Sequence, residues 1–193
     1  MTNETQEQTE LLEELATELS QTQIELYVTA TTLKHNESQN IIKNHVIAST
    51  TMGLIPIALI DIAALSANQH TMLQHLCKHY EVDYDSQRSK LLISALLSGS
   101  LPVLTMMGLS SAVKVIPGIG TLGGNAGVAI TGGAITYATG QTFVRHFSAG
   151  GNLDDFIPAR FSGFFNKELK KGKQFVNKMK PGAVAEAIAE KGK

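Results

Sequence analysis

The sequence predicts an all-α protein, and three features support this prediction. Residues 91–144 form a stretch of 54 residues whose only charge is Lys114. Near the N-terminus a leucine recurs at every seventh position, at Leu12, Leu19, Leu26 and Leu33. The basic segment 161–180 repeats apolar side chains at intervals of three to four residues. Both spacings are typical of helices that bury one face.

The first 40 residues predict an acidic amphipathic helix followed by a polar linker. Residues 1–33 contain seven glutamates and no basic residue, and residues 34–40 are entirely polar. Leu11 and Leu15 widen the leucine stripe. We expect residues 1–40 to act as a docking arm that binds a protein partner or pairs with a second copy in a short coiled coil. A helix lying on its own domain is the alternative.

Residues 41–76 form an apolar region that we expect to fold as a kinked helix. Its only charges are Lys43 and Asp61. Pro56 removes a backbone donor and clashes with the preceding helical turn, which predicts a break. A carboxylate at the centre of a bilayer costs about 2.5–3.5 kcal/mol. We therefore expect Asp61 to be a buried polar contact for the neighbouring segment or for a partner.

The uncharged stretch divides into two arms that predict a helical hairpin with its bend at Pro117 and Gly118. As a helix, residues 91–113 would be about 34 Å long, enough for a hydrocarbon layer of roughly 30 Å. The second arm, residues 115–144, is rich in glycine pairs spaced four apart, which allow close helix packing. The hairpin either enters a membrane or forms the buried centre of a soluble bundle. The residues expected to carry its packing and contacts are Lys114, Pro117, Gly118, Gly120, Gly124 and Gly127.

The C-terminal region, residues 152–193, predicts a basic amphipathic helix. Residues 160–193 carry nine Lys and Arg against three Glu. Such a helix suits an anionic membrane surface, and a solvated terminal helix is the alternative. The residues expected at the membrane surface are Phe161, Phe165, Lys167, Lys170, Lys171 and Lys173.

No cofactor or catalytic site is predicted. Gly118, Gly120 and Gly123 match the spacing of a dinucleotide-binding loop, but no acidic residue follows them before Asp154. The ligand for the ribose is therefore missing, and we reject this match. No phosphate-binding loop of the P-loop type occurs. We expect a protein without enzymatic activity.

Metal and nucleic acid are not expected ligands either. His75 and His79 have a spacing that allows two ligands to one ion, but no third ligand is evident. The aromatic residues near the lysines lie on an apolar face instead of alternating with the lysines for base stacking.

Several segments together resemble the DUF697, or YcjF-like, family. They are Ile41–Ile47, Gly53–Pro56 with Asp61, Gln74–Tyr80, Lys114–Gly120 and the Gly/Ala-rich arm that runs to Phe147. The resemblance covers about residues 41–151. It implies a helical, membrane-associated module of a kind often found next to an Era-like GTPase domain. This chain has an acidic helix where that GTPase would stand, so a GTPase partner would act in trans.

These observations predict three regions: residues 1–40, 41–151 and 152–193. The expected function is a non-enzymatic, membrane-associated accessory or anchoring module with membrane lipid as a partner. Because basic residues favour the cytoplasmic side, we expect a bacterial inner membrane with both termini cytoplasmic. The alternatives are a soluble cytoplasmic helical-bundle scaffold or adaptor and, less favoured, a membrane-perturbing toxin or its neutraliser.

Overall fold

The computed structural model describes residues 3–52, 58–99 and 121–179, and the side-chain surroundings of residues 11–52, 64–99 and 129–179. In these ranges the backbone forms five α-helices and no strand, which confirms the all-α prediction. The helices are α1 (Asn3–Met52), α2 (Ala58–Tyr80), α3 (Ser86–Ser98), α4 (Thr121–Ser148) and α5 (Pro158–Lys178). The chain divides into two compact units, Met1–Glu37 and Ser38–Lys193.

Helix α1 is continuous over 50 residues. The polar segment 34–40, which the sequence suggested as a linker, is therefore helical. This segment contains neither glycine nor proline, so nothing in it breaks a helix and its polarity marks a change of surroundings instead. We call the part of α1 up to Glu37 the arm. The rest of α1 belongs to the second unit.

The core of the second unit lies where the end of α1 meets the other four helices. Its larger cluster contains Ile42 and Val46 of α1, Leu76 of α2 and Phe143 of α4. Phe156, in the turn before α5, stacks on Phe143 with a ring-centroid distance of 4.6 Å. Large side chains from every helix thus contribute to the larger cluster.

Helix α4 packs mainly against α5 and also against α2. The predicted hairpin partner, residues 91–113, is described only as far as Gly99, and there it forms the end of α3. The structure therefore places α5, and not α3, as the main described partner of α4. The reason is local: α3 has 13 residues, whereas α5 runs along α4 and presents Gly172 for close approach.

The described helices include none that is both long enough and apolar enough to cross a membrane. The predicted bend at Pro117 and Gly118 lies outside the described residues.

Candidate interaction surfaces

The exposed side of α5 is the first candidate surface, and we call it the basic face. It carries six basic side chains: Arg160, Lys167, Lys170, Lys171, Lys173 and Lys178. Lys173 is half-buried, and the other five are exposed. The one acidic residue of α5, Glu168, is 4% exposed and does not lie on this face. The exposed side of α5 is therefore uniformly positive.

The opposite side of α5 fixes the orientation of the basic face. Phe165 and Leu169 are fully buried against α4. At Gly172 a Cβ atom would lie 2.9 Å from the carbonyl oxygen of Ala134, so the two backbones approach too closely for a side chain. The rings of Tyr137 and Phe175 pack beside this point, with centroids 5.4 Å apart. Helix α5 cannot rotate without losing these contacts.

A polar contact links the buried and exposed sides of α5. Lys171 Nζ donates to Glu168 Oε1 over 2.7 Å. This hydrogen bond is the main cause that raises the pKa of Lys171. Burial, followed by the nearby Glu168 carboxylate, raises the pKa of Tyr137. Lys171 thus neutralises the buried carboxylate, and the remaining positive charge of the face comes from the other basic residues.

The structure changes the expectation for the two phenylalanines predicted at the membrane surface. Phe165 is 0% exposed. Phe161 is half-buried and stacks on Phe156, with centroids 4.8 Å apart. The physical reason is that α4 and the preceding turn already cover the apolar side of α5. In this conformation the face is mainly charged, and the phenylalanines of α5 are partly or fully buried.

The arm of α1 is the second candidate surface. Every side chain described in it, from residue 11 to residue 37, is exposed. The exposed fractions of the heptad leucines are 67% for Leu12, 61% for Leu19, 69% for Leu26 and 58% for Leu33. Large apolar side chains are exposed singly on most proteins, but a contiguous stripe of them indicates a binding surface.

A chain of hydrogen bonds holds the second part of α1 against α2 and α4. Asn68 Nδ2 donates to the carbonyl oxygen of His45 over 2.8 Å and to Ser49 Oγ over 2.7 Å. Ser49 Oγ lies 2.7 Å from Thr136 Oγ1, and Thr136 donates to the carbonyl oxygen of Gly132 over 3.0 Å. Since every member has a partner, this buried chain fixes the register of three helices.

A histidine pair lies at the solvent end of this chain. Because the Asn68 amide nitrogen already donates elsewhere, its Oδ1 accepts from His45 Nδ1 over 2.7 Å. His45 Nε2 is then the acceptor for His75 Nδ1, 3.1 Å away. His79 packs its ring on Tyr80. Within the described ranges, no three His, Cys, Asp or Glu side chains are grouped so that they could hold a metal ion.

A cleft of about 770 Å³ lies between the α2–α3 loop and the α4–α5 turn. Arg88 crosses it and donates through Nε to the carbonyl oxygen of Leu153 over 2.7 Å. It also pairs with the carboxylate of Asp154 at 3.1 Å. Asp85 accepts a hydrogen bond from the backbone N–H of Arg88 and caps the N-terminus of α3. These contacts join two loops and explain the charges that line the cleft.

The structure places the other predicted site residues as follows. Asp61 lies in α2, and Gly124 and Gly127 lie in α4, but their surroundings are outside the described side chains. The remaining hairpin residues lie outside the described backbone: Lys114, Pro117, Gly118 and Gly120. The hydrogen-bonded chain through Asn68 was missed. In the sequence, this chain is indicated only by isolated polar residues within apolar segments, such as Ser49, Asn68 and Thr136.

Comparison with known proteins identifies the family to which this chain belongs. A family model described as a domain of unknown function, DUF697, matches residues 10–174. The chain belongs to the DUF697 family. The matched range includes most of the arm and most of α5, so it extends beyond the residues 41–151 that carry the resemblance. The similarity noted in the sequence is thereby confirmed.

One relative of this DUF697 protein is named as a membrane protein. Magnetosome membrane protein 22 of Magnetospirillum gryphiswaldense is 30% identical over 152 residues, which are 78% of this chain and 78% of the relative. No solved structure matches the chain.

Proposed function

We propose that this DUF697 protein is a non-enzymatic, membrane-associated accessory module whose basic face binds the anionic surface of a bacterial inner membrane from the cytoplasm. The observation that carries the proposal is the exposure of five cations on α5 while its one carboxylate is buried. The name of the magnetosome relative, which describes a membrane protein, supports it. Neither this name nor the family description mentions a catalysed reaction.

The physical basis of the proposed binding is electrostatic. A lysine or arginine near an anionic bilayer contributes about 1 kcal/mol, and this contribution falls off within a Debye length. Besides Lys171, which is paired with Glu168, four exposed cations lie on α5, and together they favour reversible adsorption. Since the apolar side of α5 is covered, adsorption through this face alone depends strongly on salt.

Firmer anchoring is assigned in this proposal to the uncharged stretch. Residues 100–120 carry a single charge, Lys114, so one ammonium group is the only charge that entry of this segment into the apolar layer would have to accommodate. This part of the proposal is supported by sequence alone. With the basic face and both termini on the cytoplasmic side, the arrangement satisfies the positive-inside tendency.

A GTPase that acts on the protein in trans is a further element, supported by the family resemblance. A gene for an Era-like GTPase next to this one would favour it. Binding of the full chain to that purified GTPase, with GTP and with GDP, would test it directly. Equal absence of binding in both nucleotide states would remove this element and leave the membrane proposal unaffected.

The membrane proposal is tested by sedimentation of the full chain with vesicles of phosphatidylcholine alone and with vesicles that also contain phosphatidylglycerol. We expect binding to the anionic vesicles only, and we expect high salt present during mixing to weaken the initial adsorption, because the Debye length falls to about 3 Å at roughly 1 M. Absence of binding to either vesicle would contradict the proposal and favour the soluble scaffold.

A second step separates adsorption from anchoring. Vesicle-bound or membrane-bound protein is washed with alkaline carbonate, which releases proteins held by charge. Retention in the membrane fraction is expected if residues 100–120 enter the apolar layer. Complete release would restrict the interaction to the basic face.

A further inference from the structure

The leucine face of the arm has no partner among the described residues, although the heptad pattern that builds it is regular. Leu12, Leu19, Leu26 and Leu33 are each more than half exposed. In a helix, a seven-residue interval returns a side chain to nearly the same side, so the four leucines form one stripe. Leu15, 52% exposed, lies beside it. The question is which molecule covers this stripe.

The heptad register shows where the negative charge of the arm lies. We assign the four leucines to position d of a heptad abcdefg, where a and d form the contact between two helices and e and g flank it. Six of the eight arm glutamates then occupy the outer positions b, c and f, whereas Glu13 is at e and Glu37, the last residue of the arm, is at a; the six are Glu4, Glu7, Glu10, Glu14, Glu18 and Glu25. Most of the acidic residues of the arm therefore occupy heptad positions outside the leucine face.

The contact and flanking positions are almost uncharged. Between Thr9 and Ala30, position a holds small or neutral residues: Thr9, Ala16, Gln23 and Ala30. From residue 8 to residue 34, positions e and g contain one acidic residue, Glu13, and one basic residue, Lys34. Since flanking charges set partner choice, a helix designed to meet a basic partner would carry glutamates there. This arm does not.

An anionic membrane is also a poor match for the arm. Its outer surface is acidic, and anionic headgroups repel carboxylates just as they attract lysines. A second arm, by contrast, offers the same leucine stripe and the same neutral flanks. Over residues 8–34, two such faces meet without bringing like charges together.

We infer that the leucine face of the arm pairs with the same face of a second copy of this chain, and that the two arms form a two-stranded coiled coil. This inference is independent of the membrane proposal. The pairing buries the d-position leucines of both copies, while the glutamates remain in water.

The test is the oligomeric state of the full chain, without vesicles, by sedimentation equilibrium. The decisive variant is Leu19→Gln with Leu26→Gln, which removes two central leucines from the stripe. The matched control is Ile24→Gln with Val28→Gln. Ile24 and Val28 are 62% and 56% exposed on the same arm, but they occupy positions b and f. Both variants remove two exposed apolar side chains, but only the variant at Leu19 and Leu26 alters the proposed contact.

We expect the unaltered chain and the control to be dimers of similar affinity. We expect the stripe variant to have a dimer dissociation constant at least about tenfold higher, because a buried leucine normally contributes that much or more. Circular dichroism should show that both variants keep their helices. A chain that is monomeric at all concentrations, a trimer or larger assembly, or equal weakening by the two variants would overturn the inference.

Discussion

The arm of α1 and helix α5 are both amphipathic, but their apolar faces have different surroundings. In α5, Phe165 and Leu169 are fully buried against α4. In the arm, Leu19 and Leu26 are 61% and 69% exposed. The sequence pattern predicts which side of a helix needs cover. It does not predict whether the cover comes from the same chain, from a lipid or from a second molecule.

The charges of the two regions complete this contrast. The exposed side of α5 is basic, and its phenylalanines are partly or fully buried, so it is suited to a polar anionic surface. The arm exposes acidic and apolar side chains together, so it is suited to a protein. Different functions are therefore proposed for the two helices.

The largest expected difference between the two regions concerns stability. Phe165→Ala should lower the free energy of unfolding by about 3–5 kcal/mol, because it removes a buried ring and leaves a cavity. Ile24→Ala on the arm should change it by less than about 0.5 kcal/mol. Urea unfolding of both variants measures the difference. A small effect at Phe165 would mean that α5 is not packed as described.

A second comparison lies within α5. Gly172→Ala should destabilise the protein by about 1–3 kcal/mol, since the new methyl group would lie against the Ala134 backbone. Gly163 is exposed on the same helix, and nothing lies within 4 Å of a Cβ built there. Gly163→Ala should stabilise by about 0.4–1 kcal/mol through its higher helix propensity. Effects of the same sign in thermal or urea unfolding would contradict the close α4–α5 approach.

The smallest expected effect is a pH dependence of the free energy of unfolding, which arises in the turn that positions α5. Hydrogen bonds from the Asn152 backbone and then from the His146 ring lower the pKa of Asp155 below its ordinary 3.8. Because this pKa is lower in the folded state, the Asp155 carboxylate contributes to the stability of the fold above pH 3.8. This contribution is lost as pH falls through the folded-state pKa.

Urea unfolding of the unaltered chain and of Asp155→Asn measures this contribution. We expect the variant to be less stable near neutral pH, and the two proteins to converge in acid as the Asp155 carboxyl becomes protonated. A stability gap of constant size across the pH range would show that this carboxylate does not titrate in the turn as described.

Much of the architecture could be predicted from the sequence, because the spacing of apolar residues and the helix-breaking residues determine helices locally. The all-α fold, the heptad of the arm and the amphipathic α5 follow from spacing alone. Segment 34–40 is helical because it contains neither glycine nor proline, and the division between the two compact units falls within it, after Glu37.

Long-range pairing could not be predicted in the same way. The main described partner of α4 is α5, and this depends on Gly172 meeting Ala134 across 38 positions of sequence. The chain of hydrogen bonds through Asn68 likewise depends on three helices coming together. Phe165 was predicted at a surface because periodicity identifies an apolar side without identifying what covers it.

The proposal for the basic face is tested most directly by charge reversal on α5. Lys167→Glu with Lys170→Glu should weaken binding to phosphatidylglycerol vesicles by at least about thirtyfold, since each lysine contributes about 1 kcal/mol. The control, Lys43→Glu with Lys78→Glu, reverses two exposed lysines on α1 and α2 and changes the net charge equally. We predict that the control binds nearly as well as the unaltered chain. Equal loss of binding in both variants would contradict a specific basic face on α5.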